Sequence, residues 1–404
     1  MTPEELKGFI LLSLIKIVVV FSVMMVGVMM VIWMERRVSA WKQDRLGPNR
    51  VGPQGLLQSV ADGIKNFAKE ELWPAQATKL LFVLAPALSF IPAMLTFAVI
   101  PFAAPLPVNF DFTVPILGQF VHAGPMPMMI ADLPIGMLFI VAIGSLSVYG
   151  IVLAGWSSAN KYSLLGGLRA SAQMVSYEVA LGFSFVGVLM LAGNVTLPAI
   201  VAHQQDSVWF VFALTLGFIL FFVSNLAETN RLPFDLPETE SELVTGFHTE
   251  YSSMKFSMFF IAEYTHIITG SALVATLFLG GWDIPFTSWD SGDPTVLKSL
   301  LTLAFFAMKT LFFIYVFIWI RWTLPRFRFD QLMQLGWKFM LPVLLAYILI
   351  LGATVLVLDS IGWSSGLRYG AALFVMNAVL VYIVFFLLDN NRLLLGRTHR
   401  KVGT

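Results

Sequence analysis

No cysteine occurs anywhere in the 404 residues. That excludes disulfides, a thiolate nucleophile, and an iron–sulfur cluster held by this chain's own thiolates. Charge is nearly as scarce, at 12% of residues against 58% hydrophobic. So few ionic groups cannot cover a water-soluble surface of this size, so the bilayer is the main solvent. The 25 basic and 24 acidic residues leave a net charge of +1, which gives no electrostatic footing for nucleic acid. A phosphate-binding loop is missing too, because no glycine run leads into Lys-Ser or Lys-Thr at the required spacing. The chain also lacks a nicotinamide fingerprint, a flavin motif and a cysteine ligand set for a metal, so it cannot run redox chemistry alone.

What the sequence does have is long apolar runs. A spanning helix needs roughly twenty apolar residues, and the backbone must satisfy its own hydrogen bonds inside lipid. Nine stretches qualify, at about 10–34, 80–101, 134–155, 172–192, 208–227, 256–280, 299–320, 339–358 and 368–388. They predict an all-α polytopic membrane protein with no room for a soluble domain. The acidic start "MTPEELKGFI" has no small-residue cleavage site behind it, so the first run is read as a retained span. About 20 of the 25 basic residues fall in loops 35–79, 156–171, 228–255 and 321–338 and in the tail after 389. Alternating spans place all of these on one side. The positive-inside rule makes that side cytoplasmic and puts the N-terminus outside.

The first cytoplasmic loop opens with "ERRVSAWKQDRLGPNRVGPQG". Its arginines can be simple membrane anchors, but two Gly-Pro pairs point to a shaped loop. "LLQSVADGIKNFAKEEL" follows. Leu57, Val60, Ile64, Phe67 and Ala68 share one helical face, while Asp62, Lys65, Asn66 and Lys69 share the other. This is an amphipathic helix on the membrane surface. Its polar face either packs or meets a soluble partner or an amphiphilic substrate.

Two carboxylates fall inside spans. Glu178 stands about seven residues into the fourth and Glu263 about seven into the sixth. At 1.5 Å per residue both should lie on the order of 10 Å below the cytoplasmic surface. Intramembrane acids are costly and are functional candidates by default, although each can also be a structural hydrogen-bonding group. Such acids load and release protons as a coupled set. His266, on the face of Glu263, is read as a packing or supporting group. Lys16 and Lys309 are read as snorkelling or compensating charges.

The segment "ETNRLPFDLPETESELVTGFHTEY" gathers Glu228, Asp235, Glu238, Glu240, Glu242 and Glu250 around one fixed cation, Arg231. A charge run of this kind can be a solvated loop. "RLPFDLP", however, is stiff and apolar, unlike a disordered linker. With Glu178 and Glu263 below, the segment reads as the mouth of an acidic funnel through which protons enter.

This segment, together with "ERRVSAWKQDRLGPNRVGPQGLLQSVADGIK", "GLRASAQMVSYEV" and "PRFRFDQLMQLGWK", resembles a membrane-subunit family of proton-pumping NADH:quinone oxidoreductase, respiratory complex I. The family is the one called H in bacteria and subunit 1 in mitochondria. The resemblance runs from about residue 15 to residue 358. It implies an eight-helix core over 1–358 that forms the membrane part of the quinone channel. An added transmembrane helix and basic tail over 359–404 inherit no role. It implies quinone as substrate, with NADH, FMN and iron–sulfur clusters on partner subunits of the membrane and peripheral arms. It assigns Glu35, Arg36, Arg45, Asp62, Lys65, Arg321 and Arg326 to the quinone channel. It assigns Glu178, Glu228, Glu238, Glu240, Glu242 and Glu263 to proton coupling, and it implies the bacterial inner membrane.

Two other readings stay open at the level of sequence. The related membrane subunit of an energy-converting hydrogenase, or of another donor-specific dehydrogenase, shares the acidic architecture without needing quinone. A stand-alone secondary transporter would show inverted repeats with interrupted spans in matching positions of two halves, and no such symmetry is visible.

Overall fold

The computed structural model describes residues 2–114, 118–122, 124–235, 246–285, 287, 289–290, 292–363 and 366–389. Helix α1 runs Pro3–Lys42. Its acidic start is explained by a capping box: the Thr2 hydroxyl accepts from Glu5 N at 3.2 Å, and the Glu5 carboxylate accepts from Thr2 N at 2.8 Å. The surface helix α2 spans Gln58–Ala68. Then come α3 (Lys79–Thr96), four short strands, α4 (Gly136–Ser157) and α5 (Lys161–Ala192). The short helices α6 (Leu197–Asp206) and α7 (Phe210–Ala213) lead into α8 (Thr215–Glu228). Helices α9 (Ser253–Phe278) and α10 (Val296–Arg321) follow, then α11 (Phe329–Gln334), a π-helical turn over Leu335–Met340, α12 (Leu341–Ser360) and α13 (Leu367–Asp389).

Among the described residues, eight helices are long and apolar enough to cross a bilayer, and α8 is a shorter apolar one. The chain is a multi-pass, all-α membrane protein, as its apolar runs predicted. Helix α9 is its axis: 72% of its most apolar stretch is buried, against 6% for α1. Small residues let the helices approach closely. A Cβ on Gly150 of α4 would run into Ser89 of α3, and one on Gly270 of α9 would run into Asn225 of α8.

Three boundaries differ from expectation. Helix α5 starts at Lys161 rather than near 172, because Asn160 caps it by accepting from Tyr162 N at 2.9 Å. Glu178 therefore stands 17 residues into α5, and Glu263 ten into α9, rather than seven into each. The fifth span is not one helix but is interrupted at Leu214 between α7 and α8. The connection between α3 and α4 forms two antiparallel pairs. β1 (Ala103–Pro107) lies against β4 (Pro125–Met128), and β2 (Phe110–Val114) against β3 (Gly118–His122). The Lys16 ammonium donates to Met129 O at 3.0 Å and to Pro127 O at 3.4 Å, so it ties this flap to α1. Lys309 likewise donates to Leu279 O, Gly281 O and Asp283 O at 2.6, 3.0 and 2.7 Å. Both lysines thus donate to backbone carbonyls of connecting segments.

Candidate quinone cavity and buried charge relay

Four elements meet at Glu35, near the end of α1. Arg231 follows α8 and donates through Nη1 to Oε1 and Oε2 of Glu35 at 2.9 and 3.0 Å. Tyr264 of α9 donates its hydroxyl to Oε2 at 2.8 Å. Arg321, the last residue of α10, pairs with Oε1. The other side of the Arg231 guanidinium pairs with Glu263, and its plane lies 4.3 Å over the Tyr264 ring. Two acids and two guanidinium groups thus balance inside the protein, which is what makes their burial tolerable. Burial works against the Arg231 charge, but Glu263 and Glu35 hold its proton well above the usual arginine range. The sequence singled out Glu263 as a buried acid coupled to other carboxylates. The fold gives it a cation.

Glu35 and Arg321 also line a cavity of about 940 Å³ between α1, α2, α9 and the end of α10. Val28, Met29, Ile32, Phe260 and Ile261 are among its apolar walls. Glu35, Tyr264 and Arg321 are among its polar walls, beside Arg36, Asp62 and Lys65. At the α2 wall, Arg36 binds Asp62 at 2.5 Å, while Lys65 and Gln58 reach the other Asp62 oxygen at 3.3 Å. Partial burial raises the Asp62 pKa, but the Arg36 and Lys65 contacts outweigh it and hold the carboxyl below its usual range. The apolar face of α2 does not pack inward. Ile64 and Phe67 are 65% and 73% exposed, which suits a lipid-facing cavity wall.

Deeper in the bundle, Glu228 ends α8 and faces Gly144 of α4. Next to it, Ser145 donates to the Glu178 carboxylate, so two adjacent α4 residues serve the two acids. Glu228 feels the Glu178 charge. Glu228, Asn225, His266 and Thr269 line a cavity of about 30 Å³, room for water-sized occupants. His266 sits one helical turn below Glu263 on α9, which links the upper and lower groups along one face.

The predicted site residues therefore separate into groups. Glu35, Arg36, Asp62, Lys65 and Arg321 gather around the large cavity. Arg45 turns to Gln43 at 2.7 Å and Arg326 to Asp235 at 3.1 Å, and neither lines the cavity. Glu178 and Glu228 share the lower site, and Glu263 bridges toward the upper one. Glu238, Glu240 and Glu242 lie outside the described residues. The funnel mouth is looser than expected where it is described, since Glu250 turns away to accept from Asn160 Nδ2 at 2.7 Å. Sequence reasoning passed over Arg231 and Tyr264 as site residues. The signal for Arg231 was its position as the one cation within an acidic run. Among the described residues, no cluster of three histidines, aspartates or glutamates is arranged to hold a metal.

A family model described as NADH dehydrogenase matches residues 15–352. The chain is similar to an H-type subunit of the NADH-quinone oxidoreductase of Koribacter versatilis (strain Ellin345), with 47% identity over 346 residues, 85% of this chain and 96% of that protein. It is 48% identical over 352 residues to an H-type NADH-quinone oxidoreductase subunit of Geobacter metallireducens, covering 87% of this chain and 98% of that protein. Against an H-type NADH-quinone oxidoreductase subunit of Geobacter sulfurreducens, the identity is 49% over 337 residues, 83% of this chain and 94% of that protein.

Proposed function

The chain belongs to the NADH dehydrogenase family, and on that premise we propose that it is the quinone-site membrane subunit of a proton-translocating NADH–quinone oxidoreductase. The observation that carries this reading is the cavity of about 940 Å³, whose walls combine Met29, Ile32 and Phe260 with Glu35, Tyr264 and Arg321. An amphiphile with a polar ring and an isoprenoid-like tail fits such a shape, because the tail stays among Met29, Ile32 and Phe260 while the ring reaches hydrogen-bonding groups. Quinone reduction consumes two electrons and two protons. The electrons come from a partner subunit, since this chain has no cysteine to hold a cluster. NADH, FMN and iron–sulfur centres accordingly belong to the peripheral arm.

The protons are this chain's concern. Glu35, Arg231 and Glu263 connect the cavity to α9, and His266 continues to the site of Glu228 and Glu178. A change of charge at the headgroup alters the field on Glu35, and the paired arginines pass it to Glu263. The lower carboxylates answer by taking up or releasing protons, and Glu238, Glu240 and Glu242 feed this set from the loop. Arg45 and Arg326 are assigned to the approach to the quinone channel, outside the cavity walls. Residues 1–358 form this working unit, and 359–404 add a helix and a basic tail. The basic loops face the cytoplasm of a bacterial cell and the N-terminus lies outside. The hydrogenase-type alternative is not favoured, because the relatives bear quinone oxidoreductase names.

A photoreactive quinone with a long tail tests the assignment. In the assembled complex it should label peptides 25–39 and 253–264, with competition by native quinone. Labelling confined to other surfaces, or labelling that native quinone does not suppress, overturns it.

A further inference from the structure

The added helix α13 lies beyond the family match, which ends at residue 352. Asparagine is expensive inside an apolar span unless its amide is fully engaged, yet Asn377 sits in the middle of α13 and is completely buried. Its partners are on the interrupted fifth span. Nδ2 donates to Ala213 O at 2.6 Å and to its own Leu373 O at 3.0 Å. Oδ1 accepts from Leu216 N at 3.3 Å. Only this orientation of the amide works, since the flipped one would set its oxygen against two carbonyls.

These two contacts sit on opposite sides of the break at Leu214, which has φ −128° and ψ 44°. In an unbroken helix, Leu216 N–H would bond Phe212 O, and Ala213 O would accept from Gly217 N–H. The Thr215 hydroxyl takes over Val211 O and Phe212 O, each at 3.0 Å. Asn377 takes over one of the freed donors, Leu216 N–H, and the remaining acceptor, Ala213 O. Backbone freed from its ladder at membrane depth must find such partners, and here the partner is a side chain from a helix outside the family core.

We propose that Asn377 is a positioning residue: its amide latches the break between α7 and α8 and so fixes the height at which α8 presents Glu228 to the site shared with Glu178. Helix α8 is a rigid rod from Leu216 to Glu228, so a latch at one end sets the other. The proposal rests on the reading above that Glu228 takes part in proton coupling.

The test uses the assembled complex with Asn377→Leu, which keeps the shape and removes all three side-chain hydrogen bonds, and Asn377→Asp, which keeps the acceptor. Amide hydrogen exchange over residues 208–222 should rise at least tenfold in Asn377→Leu. In Asn377→Asp it should rise as pH increases and the introduced carboxyl loses the proton that donates to Ala213 O. The pH profile of quinone reductase activity should shift in Asn377→Leu, while NADH oxidation by an artificial acceptor stays at the wild-type rate. A packing role would leave exchange and pH profile unchanged, because leucine fills the same space. Exchange within twofold of wild type in both variants overturns the latch. Raised exchange with an unshifted pH profile overturns its action on Glu228. If Asn377→Leu does not assemble, Asn377→Asp alone decides the latch through the pH dependence of its exchange. Failure of the functional premise has a separate signature: Glu228→Gln would then pump at the wild-type rate whatever Asn377 does.

Discussion

Arg231 places one guanidinium nitrogen 2.9 and 3.0 Å from the two carboxylate oxygens of Glu35, and both residues are only 6% exposed. Removing one partner of a buried pair strands the other charge, at a cost of roughly 3–5 kcal/mol. Arg231→Gln also strands Glu263. This variant should lower the thermal midpoint of the assembled complex and abolish most quinone reductase activity. The double variant Glu35→Gln/Arg231→Gln should lose less than the sum of the single losses, because the Glu35–Arg231 contact is lost only once, while Glu263 and Arg321 lose these partners in the double variant as in the singles. Strict additivity in a thermal-shift cycle would show that the two side chains do not depend on each other.

Arg36 behaves differently because its side chain is 46% exposed. Its pair with Asp62 contributes about 1 kcal/mol or less to stability. Arg36→Ala should therefore leave the complex assembled while raising the quinone KM several-fold, or weakening attachment of the peripheral arm. Asp62 loses a group that depresses its pKa, so the pH dependence of quinone binding should move upward. Steady-state kinetics across a quinone series reads both effects, and an unchanged quinone response takes Arg36 out of the site.

For Glu178 and Glu228 the decisive contrast is between two assays. Glu178→Gln and Glu228→Gln should reduce proton-coupled quinone reduction by tenfold or more. NADH oxidation by an artificial acceptor should be unaffected, since it needs only the peripheral arm. Glu240→Gln extends the same comparison to the loop. Wild-type pumping in reconstituted vesicles for all three would refute the acidic path.

His248 supplies a pH prediction outside the spans. Burial among Phe247, Phe256 and Phe260, with ring centres 5.0, 5.3 and 6.3 Å away, pushes its pKa down to about 4. Its contribution to stability is complete above the ordinary histidine value near 6.5 and is lost as pH falls through about 4, up to roughly 3 kcal/mol. The thermal midpoint should fall over that window, and His248→Phe should flatten the fall. Equal acid sensitivity in both proteins would place the effect elsewhere.

Span positions were legible in the sequence because lipid demands long apolar helices, and composition reports that demand directly. The interruption at Leu214 was not legible. Its partner is Asn377, more than 160 residues away, and "FALTL" carries neither proline nor glycine to mark a break. The start of α5 was misplaced because its first turns are polar enough to read as loop. Glu35, Arg36 and Asp62 were found through the resemblance and by their place beside the surface helix. Arg231 was seen only as a lone cation, and its pairing with Glu35 across 196 residues is a product of the fold. His266 was read as a supporting group of Glu263, and the structure adds that it opens onto the cavity of Glu228.

The first helix has 40 residues, about 60 Å at 1.5 Å per residue, while the hydrocarbon layer is about 30 Å thick. Helix tilts in bilayers reach about 40°, too little to hide that excess, so the helix must project beyond the lipid. It carries Glu35 and Arg36 near one end and is tied by Lys16 to the strand flap between α3 and α4 nearer the other. A swing of only about 2° around its midpoint would carry each tip by roughly 1 Å, enough to remake or break an ion pair. A nudge on the strand flap would thus be felt at the opposite leaflet through a single stiff lever.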